Sequence, residues 1–145
     1  MVKSGKNKAA VSPAGVRSCV VLITQDANET EMVGEFISKV NMCVHVTYRR
    51  LEDFMLSPPV HPVTMVIIAT TSPPELTRRV LAWIRNRWRR CSVTVIGETG
   101  SGLYELQARM GGANFLTRPV ADGEWAALFS FLTSEDYAMR EPRGI

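Results

Sequence analysis

The chain has 145 residues and carries a formal net charge of +3. Hydrophobic residues make up 46% and charged residues 21%, a balance that is typical of one globular domain and excludes disorder. No apolar stretch approaches the ~20 residues of a membrane-spanning helix, and the basic start lacks the apolar core of a secretory signal. The cytoplasm is therefore the expected location.

The cysteines exclude two further classes of protein. There are three of them, Cys19, Cys43 and Cys91, and none forms a CxxC pair. An odd number without that spacing predicts neither a disulfide framework nor a zinc site. His45 and His61 have no second ligand at metal spacing, so we expect no bound metal and no cofactor.

The two ends of the chain differ from its middle. Residues 1–16 combine Lys, Ser, Gly and Asn without a periodic apolar face, which predicts a flexible basic tail. Residues 140–145 predict a short C-terminal tail. One domain is expected over 17–139.

Apolar runs and helical patterns alternate through the first half of this domain. Cys19–Ile23 is apolar throughout, as in a strand buried on both faces. Asn28, with an acid three residues later, predicts the start of a helix. Val44–Tyr48 alternates like a more exposed strand, and Leu51–Leu56 fits a short helix before two prolines.

The same alternation continues through the second half. Each strand and helix is predicted from an apolar run or a cap: a strand at Met65–Ala69, a helix from Pro73 to Arg90 capped by Ser72, a strand at Val93–Ile96, a helix from Ser101 stopped by Gly111-Gly112, a strand at Asn114–Thr117 and a helix capped by Asp122.

Strict alternation of five strands and five helices predicts an α/β fold with a parallel sheet covered on both faces. Ligands of such sheets bind at the carboxyl ends of the strands. The candidate site therefore comprises the residues that follow the strands: Thr24, Gln25, Asp26, Thr70, Thr71, Ser72, Gly97, Glu98, Thr99, Arg118 and Pro119.

At this point the chain resembles the receiver domain of bacterial two-component response regulators. Gly111–Pro119 (GGANFLTRP) is similar to the family's Gly-Ala-x-x-Phe-Leu-x-Lys-Pro stretch, with Arg118 in place of Lys. The apolar pattern of the first helix and the prolines at 73 and 74 also fit. The resemblance spans about residues 17–137 and implies a flavodoxin-like, CheY-like fold with strand order 2-1-3-4-5.

The chemistry that the resemblance implies is incomplete. A working receiver holds Mg²⁺ with an acidic pair after the first strand, which aligns here on Thr24 and Gln25, with Asp26 next to them. Its phospho-acceptor Asp aligns on Ala69 or Thr70, and no carboxylate occurs from Val60 to Pro74. Threonine hydroxyls are weak nucleophiles without a base. The resemblance thus implies a degenerate pseudo-receiver that interacts with proteins, and an enzyme is the least favoured class.

The resemblance also implies a docking surface and a backbone feature. The surface comprises residues 104–110, 115–117 and 124–137, which would bind a protein partner or a second copy of the chain. Phe115 is equivalent to the switch aromatic of receivers. A cis peptide is expected between Arg118 and Pro119.

Two alternative functions arise from the residues themselves. Arg78, Arg85 and Arg89 fall nearly in line on the polar side of the predicted Pro73–Arg90 helix. They are a possible surface for nucleic acid or an anionic membrane. The simpler interpretation is a solvated helix face. Arg118, Thr70, Thr71 and the glycine turn at 97–102 are an alternative cradle for a small anion or nucleotide. That turn resembles a P-loop without its Lys and Ser/Thr.

Overall fold

The computed structural model describes residues 18–133, apart from the side chains of Phe131 and Thr133. Both predicted tails and the predicted domain end at residue 139 lie outside this range. Within it, five strands and five helices alternate: β1 Ser18–Ile23, α1 Ala27–Ile37, β2 Cys43–Tyr48, α2 Leu51–Leu56, β3 Val63–Ile68, α3 Pro74–Arg87, β4 Ser92–Gly97, α4 Gly102–Met110, β5 Asn114–Thr117 and α5 Asp122–Thr133.

The strands form one parallel sheet in the order β2-β1-β3-β4-β5. This confirms the predicted doubly wound fold and its strand order. The apolar run of β1 lies between β2 and β3, where every residue is buried, while the more polar β2 lies at one edge and is half-buried. The position of each strand thus follows its hydrophobic pattern.

Helices cover both faces of the sheet and bury two hydrophobic clusters. On one face α1 and α5 meet through Phe36 and Phe129, whose rings stack with centroids 5.1 Å apart. On the other face α2, α3 and α4 pack over Val21, Val66 and Val95. All strand carboxyl ends consequently point to one end of the molecule, and all amino ends to the other.

The first helix begins earlier than predicted. Its N-cap is Asp26 and not Asn28, because the Asp26 carboxylate accepts hydrogen bonds from the backbone N–H groups of Asn28 (2.8 Å) and Glu29 (3.3 Å). An Asp in extended conformation satisfies donors that the first helical turn leaves free. Asp26 thus has a structural role that the sequence pattern did not assign to it.

The arginine-rich helix ends earlier than predicted. Trp88 adopts an extended conformation (φ −133°, ψ 91°) and ends α3, and its ring stacks on Phe54 with centroids 5.8 Å apart. Arg89 therefore lies beyond the helix, so the predicted row of Arg78, Arg85 and Arg89 on one helical face is wrong. Arg85 lies on α3 and donates a hydrogen bond to the carbonyl of Gly111.

Two backbone predictions are confirmed. Gly111 caps α4, and Gly112 has φ +90°, the left-handed conformation that stops the helix. The peptide bond between Arg118 and Pro119 is cis.

The three cysteines are free. Burial raises the pKa of Cys19 and of Cys91 to about 12, so both thiols stay protonated at neutral pH. Among the described helices, none combines the length and the apolar character that crossing a membrane requires.

Candidate functional site

Arg118 lies at the centre of the crevice formed by the carboxyl ends of the strands. It follows β5 directly, and its backbone N–H donates to the carbonyl of Gly97 at the end of β4 (2.9 Å). Only 23% of its side chain is exposed. The sheet therefore fixes the backbone of Arg118 and directs its guanidinium across the strand ends.

The guanidinium is held by two carboxylates. Its Nε and Nη2 donate to the two oxygens of Glu29, at 2.9 and 3.1 Å, and its Nη1 donates to Glu98 at 2.9 Å. A fork-to-fork pair of this kind is the strongest arrangement available to an arginine. The hydrogen bonds that Arg118 donates to Glu29 raise the pKa of Arg118, so the guanidinium stays charged.

Glu29 is in turn tied to the loop after β1. Thr24 donates its hydroxyl proton to Glu29 Oε1 at 2.6 Å and accepts the backbone N–H of Asp26 at 3.1 Å. Because Asp26 caps α1, the start of this helix, the end of β1 and Arg118 form one hydrogen-bonded network. Glu29 is 9% exposed and Thr24 is 2% exposed, so the network is largely shielded from water.

The end of β3 takes part in this network through its backbone. Ala69 is 2% exposed, and its carbonyl accepts a hydrogen bond from Nη2 of Arg118. The carbonyl of Thr70 accepts the hydroxyl proton of Tyr104 at 3.2 Å. Ala69 and Thr70, the two residues predicted to align with the receiver phospho-acceptor, thus both use their peptide oxygens as acceptors.

The end of β4 has no room for a side chain. A Cβ atom at Gly97 would lie 2.7 Å from Cζ of Phe115 and 3.1 Å from Cδ2 of Tyr104. These two rings pack edge to face with centroids 5.9 Å apart, and Phe115 is 8% exposed. Any side chain at position 97 would require this aromatic pair to move.

The predicted site residues do not all come together. Thr24, Asp26 and Arg118 belong to the network, whereas Gln25 turns to the carbonyl of Arg49 (3.4 Å). Thr71 and Thr99 are exposed, and within residues 18–133 neither side chain makes a hydrogen bond.

Sequence reasoning placed only one of the two carboxylates at the site. Glu98 lies in the predicted segment Gly97–Thr99 after the fourth strand, but its pairing with Arg118 was not predicted. Glu29 lies in the first turn of a helix, where an acid is ordinarily attributed to the helix dipole, so its pairing with a residue 89 positions away left no local signal.

These residues do not fit a magnesium ion. Mg²⁺ binds carboxylate and water oxygens that are free to coordinate it. Here Asp26 caps a helix, and Glu29 and Glu98 are engaged by a guanidinium that would repel the cation. In the part of the chain that the structure describes, no group of three or more His, Cys, Asp or Glu side chains could hold a metal.

The crevice is equally unsuited to a free anion. A groove of about 360 Å³ beside Arg118 is lined by three carboxylates, those of Asp26, Glu29 and Glu98, against one guanidinium. The guanidinium already directs four hydrogen bonds at protein oxygens. An incoming phosphate would have to displace the Glu29 pair and approach an excess of negative charge.

No family model matches the chain, and no curated protein matches it. Solved structures do. A CheY-like protein, tadZ, from Pseudomonas aeruginosa PAO1 is 19% identical, with a TM-score of 0.61 over 79% of this chain and 98% of that one. The signal receiver domain of an HD domain-containing protein from Pseudomonas fluorescens Pf-5 is 17% identical, with a TM-score of 0.65 over 86% and 93%.

A third similar structure contains a complex. It is the receiver domain of the Saccharomyces cerevisiae response regulator Ssk1 in co-crystals with the histidine phosphotransfer protein Ypd1, 13% identical, with a TM-score of 0.62 over 88% of this chain and 93% of that one. The chain has the receiver fold. Identities this low establish the fold and leave the function to the residues of the site.

Proposed function

We propose that this chain is a receiver-like signalling module of the cytoplasm that binds a protein partner without being phosphorylated on aspartate. The observation that carries the proposal is the pairing of Arg118 with Glu29 and Glu98. These carboxylates occupy the guanidinium that would otherwise be free to bind an incoming phosphoryl group. The alignment of the acceptor position with Ala69 or Thr70 supports the same conclusion.

The network gives the crevice a structural role in this proposal. It connects β1, α1, β3, β4 and β5 through charged hydrogen bonds that need no ligand. In an ordinary receiver a phosphoryl group and a metal ion would bring these loops together. We infer that the ion pair holds this module in one conformation, so that its regulation depends on partner binding.

The exposed face of α4 supports a docking role. Leu103, Leu106 and Met110 follow one another at helical spacing and are 62%, 53% and 73% exposed. Large apolar side chains that cluster on one face in this way are typical of interaction sites. A groove of about 580 Å³ continues this face along β5 to α5 and is lined in part by Phe115, Leu116 and Leu128.

Leu106 and Met110 belong to the surface expected at 104–110, 115–117 and 124–137, and Leu103 lies just before it. Residues 134–137 lie outside the described range. The partner of the module is a protein or a second copy of the chain. The arginine row along α3 and the anion cradle at Arg118 both lose support, since Arg85 donates to Gly111 and Arg118 donates to carboxylates.

A cross-linking experiment in the producing cell tests the proposal. The tested chain has the wild-type sequence with a photoreactive residue in place of Gln107. Its cross-linked products are compared before and after incubation with acetyl phosphate and Mg²⁺. We expect the same cross-linked products in both cases and, by intact mass, no added phosphoryl group. The double variant L103S/L106S should lose these products.

Leu56→Ser is the matched control, because Leu56 is 82% exposed and lies at the end of α2, away from this face. It should keep every cross-link. Phosphorylation of the wild-type chain, or products that persist in L103S/L106S, would contradict the proposal.

A further inference from the structure

The loops at the amino ends of the strands contain basic residues and no acid. Four loops lead into β2, β3, β4 and β5 at this end; we call residues 38–42, 57–62, 88–91 and 111–113 the amino-end rim. They contain Lys39, Arg89 and Arg90 and no Asp or Glu. Arg89 and Arg90 are exposed and, within residues 18–133, form neither an ion pair nor a hydrogen bond.

Exposed aliphatic side chains accompany these arginines. Val60 is 86% and Met42 is 46% exposed in rim loops, and two more, Leu56 and Met110, are the last residues of helices that lead into the rim. Four of the six large hydrophobic residues that are exposed in residues 18–133 thus lie at or next to this end.

The loop that presents Val60 is stiff. Its sequence is Ser57-Pro58-Pro59-Val60-His61-Pro62, and three prolines in six residues restrict the backbone before any partner binds. A preorganised loop loses little conformational entropy on binding. Val60 is therefore held outward at a small entropic cost, which suits a side chain that enters an apolar layer.

We propose that the amino-end rim binds an anionic lipid bilayer peripherally. Unpaired arginines are attracted to anionic headgroups, and each basic residue at the surface contributes independently to binding. Aliphatic side chains on separate loop tips can enter the boundary between headgroups and acyl chains one by one.

Two other anionic partners fit these features less well. A nucleic acid is bound through its phosphates and gains nothing from the exposed Val60 and Met42. An acidic peptide needs a groove or an unpaired strand edge to lie in, and rim residues line neither the groove beside Arg118 nor the groove along β5. The bilayer uses both the charge and the apolar tips.

Co-sedimentation of the full chain with vesicles tests the proposal. The probes are vesicles of phosphatidylcholine alone and of phosphatidylcholine mixed with phosphatidylglycerol. We expect binding to the mixed vesicles only, weakening as salt is raised. R89Q/R90Q should bind about 30-fold more weakly, from about fivefold for each basic residue. Val60→Ser should bind several-fold more weakly with the salt dependence unchanged.

R78Q/R79Q is the matched control. It removes the same charge from exposed positions in the first half of α3, away from the rim, and should bind nearly as wild type. An equal loss in R78Q/R79Q and R89Q/R90Q would overturn the proposal, as would undiminished binding of R89Q/R90Q. Binding to duplex DNA or to a polyglutamate peptide without binding to the mixed vesicles would also overturn it.

Discussion

The two ends of the sheet treat charge in opposite ways. At the carboxyl end, the guanidinium of Arg118 is 23% exposed and lies within 3.1 Å of carboxylate oxygens on two sides. At the amino end, Arg89 and Arg90 are exposed and, within the described range, have no acidic partner. A paired, shielded charge stabilises the fold, whereas an unpaired, solvated charge remains available to a partner. The comparison explains why the crevice at the carboxyl ends of the strands is a poor ligand site in this chain.

The largest expected effect comes from breaking the ion pair at the carboxyl end. Glu29→Gln leaves a shielded guanidinium with one exposed partner, and we expect a loss of about 3 kcal/mol in the free energy of unfolding. This lies at the low end for a broken buried pair, because Arg118 retains some contact with water. Urea denaturation followed by tryptophan fluorescence measures it.

Glu98→Gln is the matched control for this variant. It removes the same charge from the other side of Arg118, but the Glu98 side chain is 63% exposed. Water screens such a pair, so we expect a loss below about 1 kcal/mol. Equal losses for the two variants would show that the pairing with Glu29 is not what stabilises the crevice.

A smaller effect is expected at the amino end, where one arginine does have a partner. Arg85 donates to the carbonyl of Gly111, and a Cβ atom at Gly112 would overlap its Nη2 atom. Gly112 also has φ +90°. We expect Gly112→Ala to lower the free energy of unfolding by about 2 kcal/mol, from backbone strain together with the lost contact.

Gly100→Ala separates these two contributions. Gly100 has φ +88°, and a Cβ atom there would meet nothing within 4 Å. It carries the backbone cost alone, so we expect a loss of about 1 kcal/mol by the same urea measurement. If the two alanine variants were equally stable, the Arg85 contact would contribute nothing to this end of the molecule.

The fold could be predicted because its information is local. The unbroken apolar run of β1, the glycines after α4 and the alternation of strands and helices each restrict one segment, and together they indicate a parallel sheet covered on both faces. The strand order was implied by the resemblance to receivers. The ends of helices were predicted less well. Trp88 fits the apolar face of α3 by its spacing, yet it leaves the helix to stack on Phe54, a contact between distant segments that periodicity does not contain.

The candidate site was predicted only in part, and for the same reason. Arg118 was found through its motif, and the strand ends indicated where the crevice lies. Whether a guanidinium in that crevice is free or paired depends on Glu29, which is distant in sequence and lies on a different element. Residue types at strand ends define which groups are near the site, but their pairing is decided by packing.

A third kind of ionisable group lies between the two ends and gives the smallest effect. His45 is half-buried in the middle of β2, and burial lowers its pKa from the ordinary value of 6.5. As pH falls through that value, the unfolded chain takes up a proton before the folded one does. The contribution of His45 to the free energy of unfolding is therefore fully present above pH ~7.5 and is lost as the pH falls through the folded pKa.

His45→Gln should remove this component of the pH dependence. We expect the wild-type chain to lose less than about 1 kcal/mol more than the variant between pH 7.5 and 5.5, because the imidazole retains contact with solvent. Thermal unfolding of both chains across this range measures the difference. Parallel pH profiles would mean that His45 is solvated well enough to protonate in the folded state as readily as in the unfolded chain.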